Sequence, residues 1–370
     1  MKFISVRANL KDGLLSIERA EGDAAGLPIL RNVLVEAEEG GIKLTATNLE
    51  IAATYSLSGK VIEPGRATVS LDTLSGIIGN IQSDRLNLEK RGDGLEVRSD
   101  NYRAALQGLP TDDFPIIPKV QNTDEHISLE AETFREALSQ VVVATQPSDL
   151  RPELNSILFD FSLDELVVAA TDSFRLAEKK VPSAEIMATY TRAFRILVPL
   201  RTAHELLRSL KDEGRVEFSH DDNQILFRGG QLELVSRLVE GNFPDYHAIV
   251  PKKFSAEAVL NRQEFANALK LASVFAGKTS EVKLSVATNG RALEVSSADQ
   301  TVGENQSVLP AKISGRTGEV IFNWKYLLDA VKSVKSEEVF LGINENSDPT
   351  LIRSPKDGSY FYILKPILKG

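Results

Sequence analysis

The chain lacks cysteine, and it has only four histidines and one tryptophan among 370 residues. The absence of cysteine excludes disulfides and thiolate metal sites, and it suits a reducing compartment. The histidines (His126, His204, His220 and His247) lie far apart, without the spacing of metal ligands. No hydrophobic run approaches the ~18 residues that span a bilayer, and the N-terminus has no apolar segment of a secretory signal. We therefore expect a cytoplasmic protein that binds no membrane and no cofactor.

Charge is also unbalanced, with a formal net charge of −9. Residues 1–122 carry 14 basic and 17 acidic side chains, residues 123–250 carry 13 and 22, and residues 251–370 carry 16 and 13. An acidic chain is a poor candidate for binding nucleic acid, because phosphate contacts need Lys and Arg. A few basic residues on one concave face can still attract phosphate while the outside stays acidic. Net charge alone therefore does not exclude a nucleic-acid function.

An internal repeat organises what the chain does contain. The segment ATNLEIAA at 46–53 returns as ATDSFRLA at 170–177, 124 positions later. Three segments, which start near Phe3, Ile127 and Ala258, have the pattern of a strand followed by an amphipathic helix. The apolar positions i, i+3, i+4 and i+7 of the second and third helices are Phe134, Ala137, Leu138 and Val141, and Phe265, Ala268, Leu269 and Ala272. Each such stripe predicts a helix packed on a core.

A second helix recurs at 70–81, 199–210 and 323–334, and alternating strands with Gly, Asp and Asn turns follow each one. Corresponding points lie about 120–130 residues apart, which indicates repeated domains. The sequence predicts an α+β fold of three similar domains, each with two helices and antiparallel sheets. We expect these domains at residues 1–122, 123–250 and 251–370. At both boundaries Phe-Pro stands a few residues before a second Pro, which suits stiff, extended connectors.

Several longer motifs carry a resemblance to a known family. They are LPILRNVLVEA at 27–37, ATDSFRLA at 170–177, LVEGNFPDY at 238–246 and YILKPI at 362–367. With the threefold repeat, they make the whole chain resemble the bacterial replicative sliding clamps, the beta subunits of DNA polymerase III. The resemblance implies a processivity subunit rather than an enzyme. It also implies a head-to-tail homodimer whose six domains form a ring around duplex DNA, with helices along the hole. Its implied partners are double-stranded DNA of any sequence, a second copy, the polymerase alpha subunit, the clamp loader and other proteins with clamp-binding motifs.

The resemblance also suggests residues for DNA contact and for the dimer joint. The basic residues that could face DNA are Arg135, Arg151, Arg201, Arg208, Lys325 and Lys332. Each could equally be a solvated surface residue. A modest number suits a ring that slides, because many strong phosphate contacts would impede movement. In the family the joint pairs edge strands and buries apolar residues, and the matching positions here are Leu106, Val274 and Phe275, which could equally belong to the core.

The family holds short peptides in a groove, and the matching positions can be carried over. They are Leu154, Thr171, Ser173, Phe174, Arg175, Leu176, Pro244, Ile249, Ile363, Pro366 and Ile367. Apolar walls for one or two hydrophobic anchors are typical of a peptide site, and we expect Arg175 and the Thr and Ser hydroxyls on its lip. Leu154, Leu176 and Ile363 could simply belong to the hydrophobic core. In the first copy of the repeat, Leu49 and Ile51 are expected to point inward as scaffold.

This chain departs from the family pattern at four positions of the groove region. Ser173 and Phe174 replace the common Gly-His pair, Ala248 stands where Arg is common, and Lys365 precedes Pro366 where an apolar residue is usual. We therefore expect the groove to persist with an altered peptide preference.

Two alternatives compete with a sliding clamp. The first is an enzyme that hydrolyses nucleoside triphosphates. The segment AGKTS at 276–280 resembles the end of a phosphate-binding loop, but the Gly that this motif needs at position 272 is Ala. A clamp-fold adaptor that binds peptides without encircling DNA is the second alternative. The helix predicted at 70–81 has no basic residue, and the loop at 145–155 has only Arg151, which gives this adaptor some weight.

Overall fold

A computed structural model describes residues 1–22, 26–121, 123–147, 150–288, 290–345 and 347–368. The chain divides into two compact units. The first unit comprises Met1–Arg135, Ala184–Thr191 and Arg201–Leu238, and the second comprises Glu136–Ser183, Arg192–Leu200 and Val239–Gly370. The division thus passes through the predicted middle domain. The predicted boundary at residue 122 lies outside the described residues.

Six α-helices occur in the described residues, two in each predicted domain. They are α1 (Arg7–Ile17), α2 (Leu71–Asn80), α3 (Ala131–Val142), α4 (Leu200–Ser209), α5 (Arg262–Val274) and α6 (Trp324–Ser333). The helices predicted at 70–81, 199–210 and 323–334 are confirmed to within one residue at each end. Side-chain caps define two of these starts, because Ser70 accepts the Thr73 N–H and Asn323 accepts the Lys325 N–H. All eight apolar positions predicted on α3 and α5 are buried.

The first unit contains two antiparallel sheets. Its strands are β1 (Lys2–Val6), β2 (Asn32–Glu38), β3 (Gly41–Thr47), β4 (Ile51–Leu57), β5 (Gly59–Glu63), β6 (Gly65–Ser70), β7 (Arg85–Arg91), β8 (Gly94–Arg98), β9 (Arg103–Leu106), β10 (Ile127–Glu130), β14 (Ile186–Ala188), β16 (Arg215–His220), β17 (Gln224–Gly229) and β18 (Leu232–Arg237). The orders are β5-β1-β7-β8-β9 and β14-β10-β16-β17-β18-β4-β3-β2-β6. Pairing of β18 with β4 joins strands of the predicted first and middle domains.

The second unit contains one antiparallel sheet of twelve strands. Its strands are β11 (Ser156–Ser162), β12 (Glu165–Thr171), β13 (Arg175–Pro182), β15 (Phe194–Pro199), β19 (Ala256–Asn261), β20 (Glu281–Val286), β21 (Ala292–Asp299), β22 (Gly303–Gly315), β23 (Val320–Asn323), β24 (Glu338–Ile343), β25 (Thr350–Arg353) and β26 (Tyr360–Leu364). The order is β15-β11-β12-β13-β26-β25-β24-β19-β22-β21-β20-β23. Pairing of β13 with β26 joins the predicted middle and C-terminal domains. The predicted α+β class is confirmed.

The repeated segment is a hairpin turn in both copies rather than a continuous strand. The first turn (residues 47–51) joins β3 to β4, and the second turn (171–175) joins β12 to β13. The hydroxyl of Thr47 or Thr171 donates to the carbonyl four residues later, at 2.9 and 2.7 Å. The side chain of Asn48 or Asp172 accepts two backbone N–H groups at 2.8–3.0 Å. A side chain that replaces backbone acceptors in this way stabilises a tight turn.

This turn makes one prediction wrong. Leu49 does not point inward but is 47% exposed, whereas Ile51 is buried. The φ of Leu49 is 74°, in the left-handed region that a strand does not use. The alternation expected of a strand therefore does not apply at the third residue of the turn. In the third domain, Asp299 caps the β21–β22 turn in the same way, accepting N–H groups from Thr301 and Val302 at 2.8 and 3.2 Å.

The segment that resembles a phosphate-binding loop does not have that context. Residues 276–280 lie between α5 and β20, so a helix precedes the segment and a strand follows it. A phosphate-binding loop needs the opposite order, because its phosphates lie at the N-terminus of the following helix. Within the described parts of the chain, no helix has the length and hydropathy to cross a membrane.

Candidate functional site

The second turn borders a cleft of about 150 Å³ in the second unit. The cleft is lined by Thr171, Ser173, Phe174, Arg175, Leu176, Pro244, Asp245, Tyr246, Ile249, Pro349, Ile363 and Lys365. Eight of the eleven residues predicted for the groove are among them. The other three, Leu154, Pro366 and Ile367, do not line this cleft. Three distant parts of the chain therefore meet at one site, as predicted for most of the set.

The floor of the cleft belongs to the hydrophobic core. Leu176 and Ile363 face each other across the β13–β26 pairing, and both are almost fully buried. They belong to one apolar cluster with Phe243 and Tyr246. The core interpretation of these residues is therefore right, and the same residues provide an apolar surface to the cleft. Leu154 is also buried, but at its own 3₁₀ turn, Pro152–Leu154.

The rim of the cleft is apolar and open to solvent. Phe174 is 60% exposed and Ile249 is 46% exposed, and Pro244 is exposed as well. The carbonyl of Phe174 accepts the Lys365 N–H at 2.9 Å, which ties the turn to the segment after β26. Because a ring that filled the cleft would be buried, Phe174 forms a wall of the cleft and does not plug it.

The left-handed backbone at Ser173 shapes this rim. Its φ is 78°, close to the value at the equivalent position of the first turn. Its backbone N–H donates to the Thr171 hydroxyl at 3.3 Å, and that hydroxyl in turn donates to the Arg175 carbonyl. The Thr171 hydroxyl is therefore engaged inside the turn. The expectation that it serves the lip of the cleft is wrong, because closing the turn requires it.

Arg175 is buried, and its guanidinium makes three hydrogen bonds within the second unit. It donates to Asp172 at 2.8 Å, to Asp329 at 3.1 Å and to the Thr145 carbonyl at 2.8 Å. Its Cζ also lies 3.9 Å from the centre of the Tyr326 ring. A buried Arg requires a partner for its charge, and Arg175 has two, the carboxyl groups of Asp172 and Asp329. The expected position of the charge on the lip is wrong, because the guanidinium links the turn to α6.

Burial and neighbouring groups shift the pKa values of the side chains around Arg175. Burial acts to lower the pKa of the Arg175 guanidinium, but Tyr362 and Asp172 outweigh it, and the pKa is raised. Burial raises the pKa of Asp329 above its usual value, and Arg175 offsets only part of that rise. The Tyr362 phenol, which is buried, has its pKa raised well above the usual value and stays neutral. The Arg175 guanidinium thus lies between the carboxyl groups of Asp172 and Asp329.

Residues that the sequence prediction missed also contribute to the cleft. These are Asp245, Tyr246 and Pro349. Lys365, named from sequence only as a departure from the family pattern, lines the cleft as well. The Tyr246 hydroxyl donates to buried Glu178 at 2.6 Å, which fixes the ring under the rim. Burial and Glu178 both raise the pKa of the Tyr246 phenol. Tyr246 follows Phe-Pro in the connector, so the repeat could have suggested it, whereas nothing in the sequence around Pro349 points to a site.

A second, wider cleft of about 600 Å³ lies beside the first in the same unit. It is lined by Ala248, Ile249, Val250, Pro251, Lys253, Phe254, Ser255, Asn344, Asp348, Pro349 and Lys365. Ile249, Pro349 and Lys365 line both clefts. The apolar cleft is therefore continuous with a more polar one.

The basic residues predicted to face DNA are of two kinds. Arg151, Arg201, Arg208, Lys325 and Lys332 are exposed, and Arg208 pairs with Glu205 at 2.7 Å. Arg135 is tied by its ion pair with Asp212 at 2.8 Å and by a hydrogen bond to the Leu210 carbonyl. Because these partners follow α4, Arg135 holds two parts of the first unit together. Sequence reasoning missed Lys11 on α1 and Lys270 on α5, which are also exposed.

The residues predicted for a dimer joint lie beside free strand edges. Strand β9 ends its sheet, and Leu106 on it is buried within the chain. Residues 303–310 of β22 pair with β21, while β19 pairs only with residues 311–315, so the other edge of 303–310 is unpaired among the described strands. Val274 is 62% exposed and Phe275 is half-buried, and a Cβ on Gly303 would meet the Phe275 ring at 3.9 Å. The apolar end of α5 therefore lies next to the start of that edge.

Comparisons with known proteins agree along the whole chain. Models of the DNA polymerase III beta subunit match residues 1–118 (N-terminal domain), 128–245 (central domain) and 247–367 (C-terminal domain). The beta sliding clamps of Synechocystis and Bacillus subtilis are 28% and 26% identical to the chain, over 99% of each protein. The Bacillus subtilis clamp structure matches with a TM-score of 0.93 at 25% identity, and a Pseudomonas aeruginosa clamp with 0.92 at 24%, each over 100% of both chains.

Fold and full-length similarity together define the class of protein. It is a sliding clamp of DNA replication, and not an enzyme. The chain belongs to the DNA polymerase III beta subunit family.

Proposed function

We propose that this protein encircles duplex DNA as a head-to-tail homodimeric ring in the cytoplasm. The ring tethers the replicative polymerase for processivity, and its cleft recruits the polymerase alpha subunit, the clamp loader and repair proteins. Its three domains are residues 1–122, 123–250 and 251–370. The observation that carries the proposal is the cleft at residues 171–176, 244–249 and 349–365, found in a chain that matches sliding clamps along its full length.

Two free strand edges support ring closure. An exposed edge presents unpaired N–H and C=O groups, and natural proteins protect or pair such edges. One edge lies on β9 in the first unit and the other on β22 in the second. When two different edges of one chain pair between copies, the contact is heterologous, and it closes into a ring if the rotation allows. Val274 and Phe275 add apolar surface beside the β22 edge.

The sparse positive charge fits a ring that holds DNA by topology. Exposed basic residues occur on α1, α4, α5 and α6, but α2 has none. Each phosphate that a protein neutralises steepens the loss of affinity with salt. We therefore expect weak direct DNA binding that salt removes, together with stable retention of a closed ring.

Retention on circular DNA tests the ring directly. The labelled protein is loaded onto a nicked circular plasmid by the clamp loader of the same organism, and the DNA is then cut once. We expect the protein to stay on the circle at moderate salt and to leave the linear molecule, because a ring slides off the ends. Equal retention on both forms would contradict a sliding ring.

The adaptor alternative predicts a different result in the same assay. The lack of basic residues on α2 and the acidic middle part of the chain favour it. An adaptor would bind peptides and would never load onto the circle. Sedimentation at micromolar concentration adds a second measurement, because a ring needs a dimer and an adaptor does not.

The wall formed by Phe174 gives a prediction for the cleft. Replacing it with Ala should weaken a labelled Gln-Leu-Ser-Leu-Phe peptide by about two- to tenfold, because an aromatic contact contributes about 0.5–1.5 kcal/mol beyond its area. Fluorescence anisotropy with the full-length protein measures the dissociation constant. The matched control is Leu163→Ala, which removes another exposed apolar side chain of the same unit outside the cleft. Unchanged affinity in Phe174→Ala would show that peptides do not use this wall.

A further inference from the structure

Lys365 occupies the junction between the two clefts of the second unit. It lines the apolar cleft of about 150 Å³ and also the wider cleft of about 600 Å³. Its backbone N–H is held by the Phe174 carbonyl at 2.9 Å, so its place beside the second turn is fixed. Any chain that runs from one cleft into the other must pass this lysine. The wider cleft adds Lys253, which is also exposed.

The positive charge at this junction comes from lysine and not from Arg175. The Arg175 guanidinium is buried, pairs with Asp172 and Asp329, and also donates to the Thr145 carbonyl, so its charge is already matched within the protein. Among the residues that the structure describes, neither Lys253 nor Lys365 takes part in an ion pair. Two unpaired ammonium groups near one junction attract a carboxylate.

Acidic residues also line the clefts, but each belongs to only one of them. Asp245 lines the apolar cleft, and its Oδ1 accepts the His247 N–H at 3.2 Å in a local turn. Asp348 lines only the wider cleft, together with Lys253 and Lys365. Among the described lining residues, Lys365 is therefore the one charged residue that both clefts share.

We propose that this site selects peptides whose apolar anchors are flanked by acidic residues. The anchors occupy the apolar cleft, and a Glu or Asp beside them lies against Lys365, with Lys253 as a second cation farther along. The occupant is thus an acidic, extended segment of another protein. This inference rests on the proposed peptide-binding function and specifies the class of peptide.

The expected effect is modest because the lysines are exposed. Ion pairs at solvent-exposed sites contribute little, so a flanking Glu should improve affinity about two- to fivefold over a neutral residue. The preference should fade as salt shortens the Debye length from about 10 Å at 0.1 M to about 3 Å at 1 M. Selectivity by charge also works through the rejection of basic flanks.

The test uses three labelled peptides with one Gln-Leu-Ser-Leu-Phe centre and two Glu, two Gln or two Lys residues on each side. Anisotropy titrations with the full-length protein at 0.05 and 0.5 M NaCl give six dissociation constants. We expect the affinity order Glu, Gln, Lys at low salt, and a smaller spread at high salt. Lys365→Glu should reverse the order, and Lys365→Gln should flatten it.

Lys356→Glu is the matched control, because it makes the same charge change at an exposed lysine that lines neither cleft. It should keep the native order. Equal binding of the Glu- and Gln-flanked peptides, with an unchanged order in Lys365→Glu, would overturn the charge selection and leave peptide binding intact. Failure of all three peptides to bind the native protein would overturn both proposals. Thermal unfolding of each variant confirms that the binding data come from folded protein.

Discussion

Replacing Arg175 with Met should destabilise the protein by about 3 kcal/mol, the low end of what removing one partner of a buried ion pair costs. The guanidinium satisfies Asp172, whose side chain is almost fully buried, and also Asp329 and the Thr145 carbonyl. Without it, a buried carboxylate remains without a cation. Asp172 keeps its two backbone N–H donors, which limits the loss. Urea unfolding of the full-length protein, compared with the native chain, measures the difference.

The first turn of the same protein supplies the control. There Asn48 takes the place of Asp172, and Ile51 takes the place of Arg175, with the same backbone hydrogen bonds. Asp172→Asn combined with Arg175→Ile should therefore be more stable than Arg175→Met alone, because no buried charge is left unpaired. A double-mutant cycle over these two positions measures their coupling.

The cleft should change together with stability. The guanidinium links the second turn to α6, so losing it should also weaken peptide binding at Phe174. An Arg175→Met variant with native stability and native peptide affinity would contradict this account of the guanidinium.

Replacing Gln306 with Pro should weaken the dimer and, with it, retention on circular DNA. The Ala311 N–H donates to the Arg291 carbonyl at 3.1 Å. Because N–H groups alternate in direction along a strand, the N–H of Gln306 points to the free edge of β22. Proline there removes one outward donor and adds ring atoms at the edge, but it leaves the pairing with β21 intact. We expect the dimer dissociation constant to rise at least ~10-fold. The lost hydrogen bond costs about 1 kcal/mol, and the steric clash of the proline ring adds to that cost.

Gln306→Ala separates the two possible causes, because it removes the same side chain and keeps the N–H. It should remain a dimer in sedimentation experiments. Ser307→Pro should instead lower the stability of the monomer, because its N–H points towards β21. If Gln306→Pro remained a dimer with native stability, the ring joint would not use this edge.

The parts of the fold that were predicted from sequence rest on local patterns. The stripe Phe134, Ala137, Leu138 and Val141 predicted α3, because each apolar residue recurs on one helix face. The ends of α2, α4 and α6 were predicted to within one residue, since caps and preceding strands are encoded next to the helix. The repeat with a spacing of 124 residues could also be recognised, because each copy is a continuous stretch of sequence. Most cleft residues followed from the family resemblance.

The errors arose where local patterns compete with a turn or with a distant partner. Leu49 was expected inward because its neighbours alternate like a strand, but the Asn48 side chain closes a turn there. The Arg175 charge was expected on the lip, but Asp329, 154 positions away, draws it inward. Asp329 is distant from Arg175 in sequence, so no local window could have revealed that pair. Asn48 lies beside Leu49, and its preference for turns was a local signal that the strand-like alternation obscured.

The sequence by itself determined the repeat, the helices and the α+β class. Hydrophobic period and capping act between near neighbours, so they can be read along the chain. Only the tertiary structure decided that β13 pairs with β26, that Lys365 lies beside Phe174 and that half of β22 has a free edge. These features depend on contacts between residues far apart in the chain. Burial of apolar surface in the folded core selects those contacts, and the pattern of any single segment does not specify them.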